Sequence, residues 1–139
     1  MRNKKVEHIG IAVKNLDETM SFYDHVLGLE KLSVETVESQ GVNIAFFKTG
    51  ETKIELLEPI NDDSPIAKFI DKRSEGIHHM AIEVEDIEAK IEAMKEKGAS
   101  FIGDKPTEGA DDMKVIFVHP KSTNGVLLEL CEPMKEEDK

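Results

Sequence analysis

The chain opens on an alternating stretch. From Lys5 to Val13, Val6, His8, Gly10 and Ala12 fall on one side of an extended strand, and Glu7, Ile9, Ile11 and Val13 on the other. The isoleucine–valine side is the core side, so His8 faces a space lined by the small residues Gly10 and Ala12. The period then changes. Asn15-Leu16-Asp17-Glu18 reads as a helix cap with a glutamate three positions on, and Leu16, Met20, Tyr23 and Leu27 form an inner stripe that ends before Gly28. Strands are predicted at 30–37, 42–48 and 52–58, with turn signals at Gln40-Gly41 and Gly50. Ser64-Pro65 starts a connecting helix, 64–73, that carries Ile66, Phe69 and Ile70.

The same order then repeats. In Gly76–Val84, Met80, Ile82 and Val84 share the apolar side with His78, which leaves His79 beside Ala81 on the other. Asp86 caps a helix carrying Ile87, Ile91 and Met94, and Gly98 ends it. A short strand is expected at 99–103 and a polar loop at 104–112. Strands at 113–119 and 125–132 then flank the turn His119–Gly125. His8 and His79 are 79 − 8 = 71 residues apart, and Glu55-Leu56-Leu57-Glu58-Pro59 precedes Glu129-Leu130-Cys131-Glu132-Pro133 by 129 − 55 = 74, in a chain of 139. Both offsets are near half the length, the mark of a duplicated module. The expectation is a single α+β domain of paired βαβββ modules, about 5–59 and 76–133, whose curved sheet surrounds a cleft.

Composition narrows the function more than the fold. A net charge of −11 disfavours nucleic acid, and an aromatic content of 5% with no Trp offers no base-stacking surface. No run approaches the roughly 18 apolar residues of a membrane span. The N-terminal residues lead into a strand and not into a signal-peptide core, and the lone cysteine, Cys131, suits a reducing compartment. A cytoplasmic protein acting on a small molecule is expected.

The repeat sets four ligand-type residues at matched positions: His8 and Glu55 in the first half, His79 and Glu129 in the second. Two imidazoles and two carboxylates suit a divalent transition metal with open positions for substrate, and such a centre stabilises a developing enolate while a carboxylate moves a proton. The pattern leaves two orientations for Glu55 and Glu129, facing the cleft or facing solvent. Lys121, Ser122 and Asn124 sit in a tight turn that fits an anionic ligand or an ordinary polar hairpin equally well. Cys131 aligns with Leu57 and reads as packing.

Several segments carry a family resemblance. They are Glu7–Val13, Lys53–Pro59 running into Ser64–Phe69, Gly76–Val84, and Phe117–Lys121 through Gly125–Leu130. The chain resembles the vicinal-oxygen-chelate superfamily over roughly residues 5–133, and more closely the methylmalonyl-CoA epimerases through Ser64-Pro65-Ile66-Ala67, His119-Pro120-Lys121 and Gly125–Leu130. The resemblance implies the vicinal-oxygen-chelate fold and metal ligation by His8, His79 and Glu129, with Glu55 as fourth ligand or close neighbour. It implies a divalent ion, Co2+ first, with Mn2+, Ni2+ or Zn2+ as alternatives. It further implies inversion of methylmalonyl-CoA at C2 through an enolate, Glu129 as one acid–base group, and a homodimer. The other acid–base group lies, in some bacterial members, at a position that is Ile44 here; repeat symmetry makes Glu55 the candidate instead. The coenzyme A tail is expected near Lys121 and Ser122. The alternatives are a glyoxalase I (lactoylglutathione lyase), which shares the His/Glu/His/Glu layout, and a non-catalytic small-molecule-binding protein of the same fold.

Overall fold

The computed structural model describes residues 2–138. They pack as two compact units. One is His8–His78; the other joins the residues before His8 to those from His79 onward. Strand β1 (Asn3–Ala12) passes from one unit to the other at Glu7–His8.

In the His8–His78 unit, β1 leads to helix α1 (Leu16–Ser21), then to strands β2 (Glu30–Val37), β3 (Val42–Thr49) and β4 (Thr52–Pro59). The strand order is β2-β3-β4-β1. β2, β3 and β4 are antiparallel neighbours, and β4 runs parallel to β1. Asn15 starts α1 as expected, its Oδ1 accepting the Glu18 N–H at 3.0 Å. The helix covers one face of this sheet, where Val13, Leu16, Ala45, Phe47 and Leu56 form a core with Ile11, Met20, Tyr23, Leu29 and Ile54.

The expected inner stripe fails at its last member. Residues Phe22–Val26 form a π-turn, closed by the Leu27 N–H donating to the Phe22 carbonyl at 2.8 Å. This widened turn rotates Leu27 away from the core, leaving it 54% exposed, and Leu29 packs there instead. Helix α2 (Pro65–Arg73) follows, capped by Ser64, whose Oγ accepts the Ile66 N–H at 3.1 Å.

The other unit repeats the plan with β5 (Gly76–Val84), which enters it at His79, then α3 (Ile87–Glu96), β6 (Phe101–Glu108), β7 (Met113–Val118) and β8 (Leu128–Pro133), ordered β5-β8-β7-β6. Again the first and last strands are parallel neighbours. Asp86 caps α3, accepting the Ala89 N–H at 3.1 Å. One face packs on α3 through Val84, Ile87, Ile91, Ile116, Val118 and Leu130.

Two expectations need correction. β6 continues to Glu108 through the stretch read as a polar loop, because its register shifts between Ile102 and Thr107 and accommodates Gly103 and Pro106. β8 starts at Leu128 and not at 125, because Gly125 has φ +92° and its N–H closes the preceding turn onto the Pro120 carbonyl. Among the described residues, no helix is long and apolar enough to cross a membrane.

Candidate functional site

In the His8–His78 unit, register decides which side chains share a face. His8 pairs with Lys53 and Gly10 with Glu55 across the parallel β1–β4 ladder, and Phe46 lies opposite Glu55 on β3. His8 and Glu55 therefore sit together on the face away from α1. Both are buried, at 6% and 5% exposure, and His8 Nδ1 lies 3.2 Å from Glu55 Oε2. Of the two orientations left open for Glu55, the buried one is realised. Ile44, 2% exposed and paired with Leu57, lies on this same face, so an apolar side chain occupies its position two residues from Phe46.

The second unit has the same arrangement. Ala81 pairs with Glu129, which puts Glu129 on the His79 face, away from α3. His79 is 9% exposed and Glu129 6%; His79 Nε2 and Glu129 Oε1 are 3.9 Å apart. The Phe117 ring meets His79 edge-on, with centroids 5.7 Å apart. His78 points the other way and stacks edge-on against Phe69 of α2 at 5.0 Å; burial pushes its imidazole below the ordinary histidine range. The choice of His79 over its neighbour thus follows from strand alternation. Cys131, fully buried, packs with Ala81, Met113 and Val115, and its thiol lies 3.6 Å from the Ile82 carbonyl.

Each unit thus holds a buried histidine–carboxylate pair. Imidazole nitrogens and carboxylate oxygens are donors for a divalent first-row metal, and burying such polar groups is tolerated when they are paired or bind an ion. On donor chemistry the residues fit the metal that the resemblance implies.

A second pair of glutamates, three residues along the same strands, was not anticipated as functional. Glu58 Oε2 accepts the backbone N–H of Leu16 at 2.8 Å, and Glu132 Oε1 accepts that of Ile87 at 3.1 Å. Each anchors the first turn of its unit's helix to the strand that carries the paired glutamate. The signal was present in both copies of Glu-Leu-x-Glu-Pro: an odd spacing of three puts the two carboxylates on opposite faces.

Lys121 and Ser122 lie in a short turn, Pro120–Ser122, and both are exposed. His119 Nδ1 accepts the Lys121 N–H at 3.1 Å, and Ser122 Oγ accepts the Ser100 N–H at 3.0 Å, which ties the turn to the chain just ahead of β6.

Comparison with known proteins agrees with this architecture. The family described as the glyoxalase/bleomycin resistance protein/dioxygenase superfamily matches residues 7–117. An uncharacterised Bacillus subtilis protein, YqjC, is 44% identical over 129 residues, covering 93% of this chain and 92% of that one. The ethylmalonyl-CoA/methylmalonyl-CoA epimerase of Cereibacter sphaeroides is 41% identical over 128 residues, covering 91% and 96%. The crystal structure of methylmalonyl-CoA epimerase from Mycobacterium tuberculosis superimposes with a TM-score of 0.91 at 32% identity, covering 97% of this chain and 91% of that one. The chain belongs to the glyoxalase/bleomycin resistance protein/dioxygenase superfamily.

Proposed function

We propose that the protein is an epimerase that inverts C2 of methylmalonyl-CoA, and that His8, His79 and Glu129 hold one divalent metal ion, with Glu55 as fourth ligand or close neighbour. The observation that carries this reading is the buried histidine–carboxylate pair repeated in each half, His8 with Glu55 and His79 with Glu129. The relatives named as epimerases support the choice of substrate. When bound, the metal supplies Lewis-acid charge against negative charge that develops on the thioester oxygen.

The chain's own carboxylates handle the proton. Glu129 Oε takes it from C2, and the electrons of the broken C–H bond move into the thioester to give a planar enolate. Glu55, in its acid form, donates a proton to the opposite face and is left as the carboxylate. Inversion needs a group on each face, and the repeat supplies one from each half. Ile44 is apolar and Glu35, its neighbour across the ladder, is only half-buried, whereas Glu55 is buried beside His8 and is the carboxylate we assign to this role. Burial of both pairs keeps bulk water from competing for the proton. We assign the exposed Lys121 and Ser122 to the coenzyme A tail, on the chemistry of a cation and a hydroxyl toward a phosphate. Co2+ is the first ion to load, followed by Mn2+, Ni2+ and Zn2+.

The test is stereochemical. A single C2 stereoisomer of methylmalonyl-CoA is incubated with metal-loaded protein, and the mixture is resolved by a stereospecific coupling enzyme. Approach to an equal mixture, faster than the buffer control, is the expected result; retention of configuration rejects the reading. A glyoxalase I would use the same His/Glu/His/Glu set, so the methylglyoxal–glutathione adduct is the comparison substrate.

A further inference from the structure

Around Glu129, one row of side chains runs across the face of β5, β8, β7 and β6. Ala81 pairs with Glu129, Glu129 with Phe117, and Phe117 with Ile102. Glu129 therefore has a single methyl group on one flank and an aromatic ring on the other. The first half repeats the row as Gly10, Glu55 and Phe46. The two rings differ in access. Phe46 is 3% exposed, whereas Phe117 is half-buried. Ile102, next outward, is 49% exposed.

We propose that Phe117 sets the size limit for the alkyl group on the carbon that Glu129 deprotonates. The inference rests on the acid–base role given above to Glu129. A base must come within about 3 Å of the atom whose proton it takes. The other substituents of that carbon then lie among the groups flanking the base. Cross-strand neighbours on one face have Cβ atoms only about 4.5–5.5 Å apart, so the ring beside Glu129 is within van der Waals reach of such a substituent. On the opposite flank, Ala81 is too short to touch it. The ring is itself braced edge-on against His79 and cannot swing aside freely. A methyl group rests on it; one more methylene runs into it. Discrimination by one methylene in an apolar site amounts to about 10- to 200-fold.

The experiment compares methylmalonyl-CoA with its 2-ethyl homologue on metal-loaded wild-type, Phe117→Leu, Phe117→Ala and Ile102→Ala proteins. Dissociation constants come from calorimetry and C2 exchange rates from deuterium incorporation, with metal content measured on each sample. Both Phe117 variants are expected to shift the ethyl-to-methyl ratio toward ethyl by about 10-fold or more, in affinity and in kcat/KM. Ile102→Ala, one strand further out by about 4.8 Å, is expected to leave the ratio unchanged. An unmoved ratio in Phe117→Leu with normal metal content overturns the inference, as does an equal shift in Ile102→Ala. Wild-type protein that binds both thioesters but exchanges neither contradicts the epimerase reading instead, and the affinity ratio still tests Phe117.

Discussion

The carboxylate of Glu132 accepts the backbone N–H of Ile87 at 3.1 Å, across the sheet from the face on which Glu129 sits. Glu58 and Leu16 do the same in the other half at 2.8 Å. One strand thus carries the carboxylate proposed for proton transfer on one side and a carboxylate that anchors a helix on the other. Glu132 is 4% exposed, with Lys135 Nζ at 3.6 Å and Lys114 Nζ at 3.9 Å. A charged acceptor on a helix N-terminal N–H contributes about 1.5–3 kcal/mol. Glu132→Ala is expected to lose stability of about that size in urea unfolding, and Glu132→Gln less, because the amide oxygen still accepts the bond. A loss under about 0.5 kcal/mol in the alanine variant, the ordinary range for a surface change, would reject the anchoring role.

The π-turn makes a prediction about two leucines. Leu27 is 54% exposed, whereas Leu29 packs against the α1 core. Leu27→Ala is expected to change stability by no more than about 0.5 kcal/mol. Leu29→Ala should cost about 1–2 kcal/mol, since a wholly buried leucine contributes about 1.5–3. Thermal or urea melts that reverse this order would restore the regular helix expected from the spacing.

The histidines separate by strand parity. His8→Ala and His79→Ala are each expected to lower bound metal in elemental analysis, and His78→Ala to leave it unchanged, because His78 packs on Phe69 away from the His79 face. Loss of metal in the His78 variant alone would mean that the ligand-bearing register is displaced by one residue.

Metal bound only by the folded protein adds stability by mass action. Stripping the protein with chelator should lower Tm, and adding back Co2+ should restore it. At a free ion concentration 100 times the dissociation constant, the gain is about 2.7 kcal/mol. Identical melting curves with and without metal would argue for the non-catalytic binding reading of the fold.

Much of this was readable from the residues alone. Alternation in Lys5–Val13 and Gly76–Val84 placed His8 and His79 on the faces away from the helices, and the Asn15, Ser64 and Asp86 caps marked three helix starts. The buried orientation of Glu55 and Glu129 could not be read, because Glu-Leu-Leu-Glu and Glu-Leu-Cys-Glu each offer one carboxylate to either face. Register against His8 and Ala81 decides it. The π-turn at Phe22–Val26 has no signature at the level of hydrophobic spacing, and β6 hides behind Gly103 and Pro106, residues that ordinarily end a strand. The helix-anchoring role of Glu58 and Glu132 was written in the repeat but is invisible until the partner N–H is placed beside it.

The two carboxylates assigned to the proton should part on substitution. Glu129→Gln removes one base and is expected to abolish C2 proton exchange of the stereoisomer that Glu129 deprotonates, even where some metal is retained. Glu55→Gln leaves Glu129 in place, so exchange from one face should persist while inversion slows by about 100-fold or more, the usual size of a general acid–base contribution. Equal loss of exchange and inversion in Glu55→Gln would remove Glu55 as the second group.

The most direct measurement is C2 deuteration. Metal-loaded protein is incubated with methylmalonyl-CoA in D2O, with the uncatalysed reaction alongside, and mass is followed at C2. Fast incorporation that chelator abolishes and Co2+ restores is the predicted result. Incorporation no faster than the uncatalysed control, in protein shown to contain metal, would contradict the proposal that these paired histidines and glutamates carry out carbon-acid chemistry on this substrate.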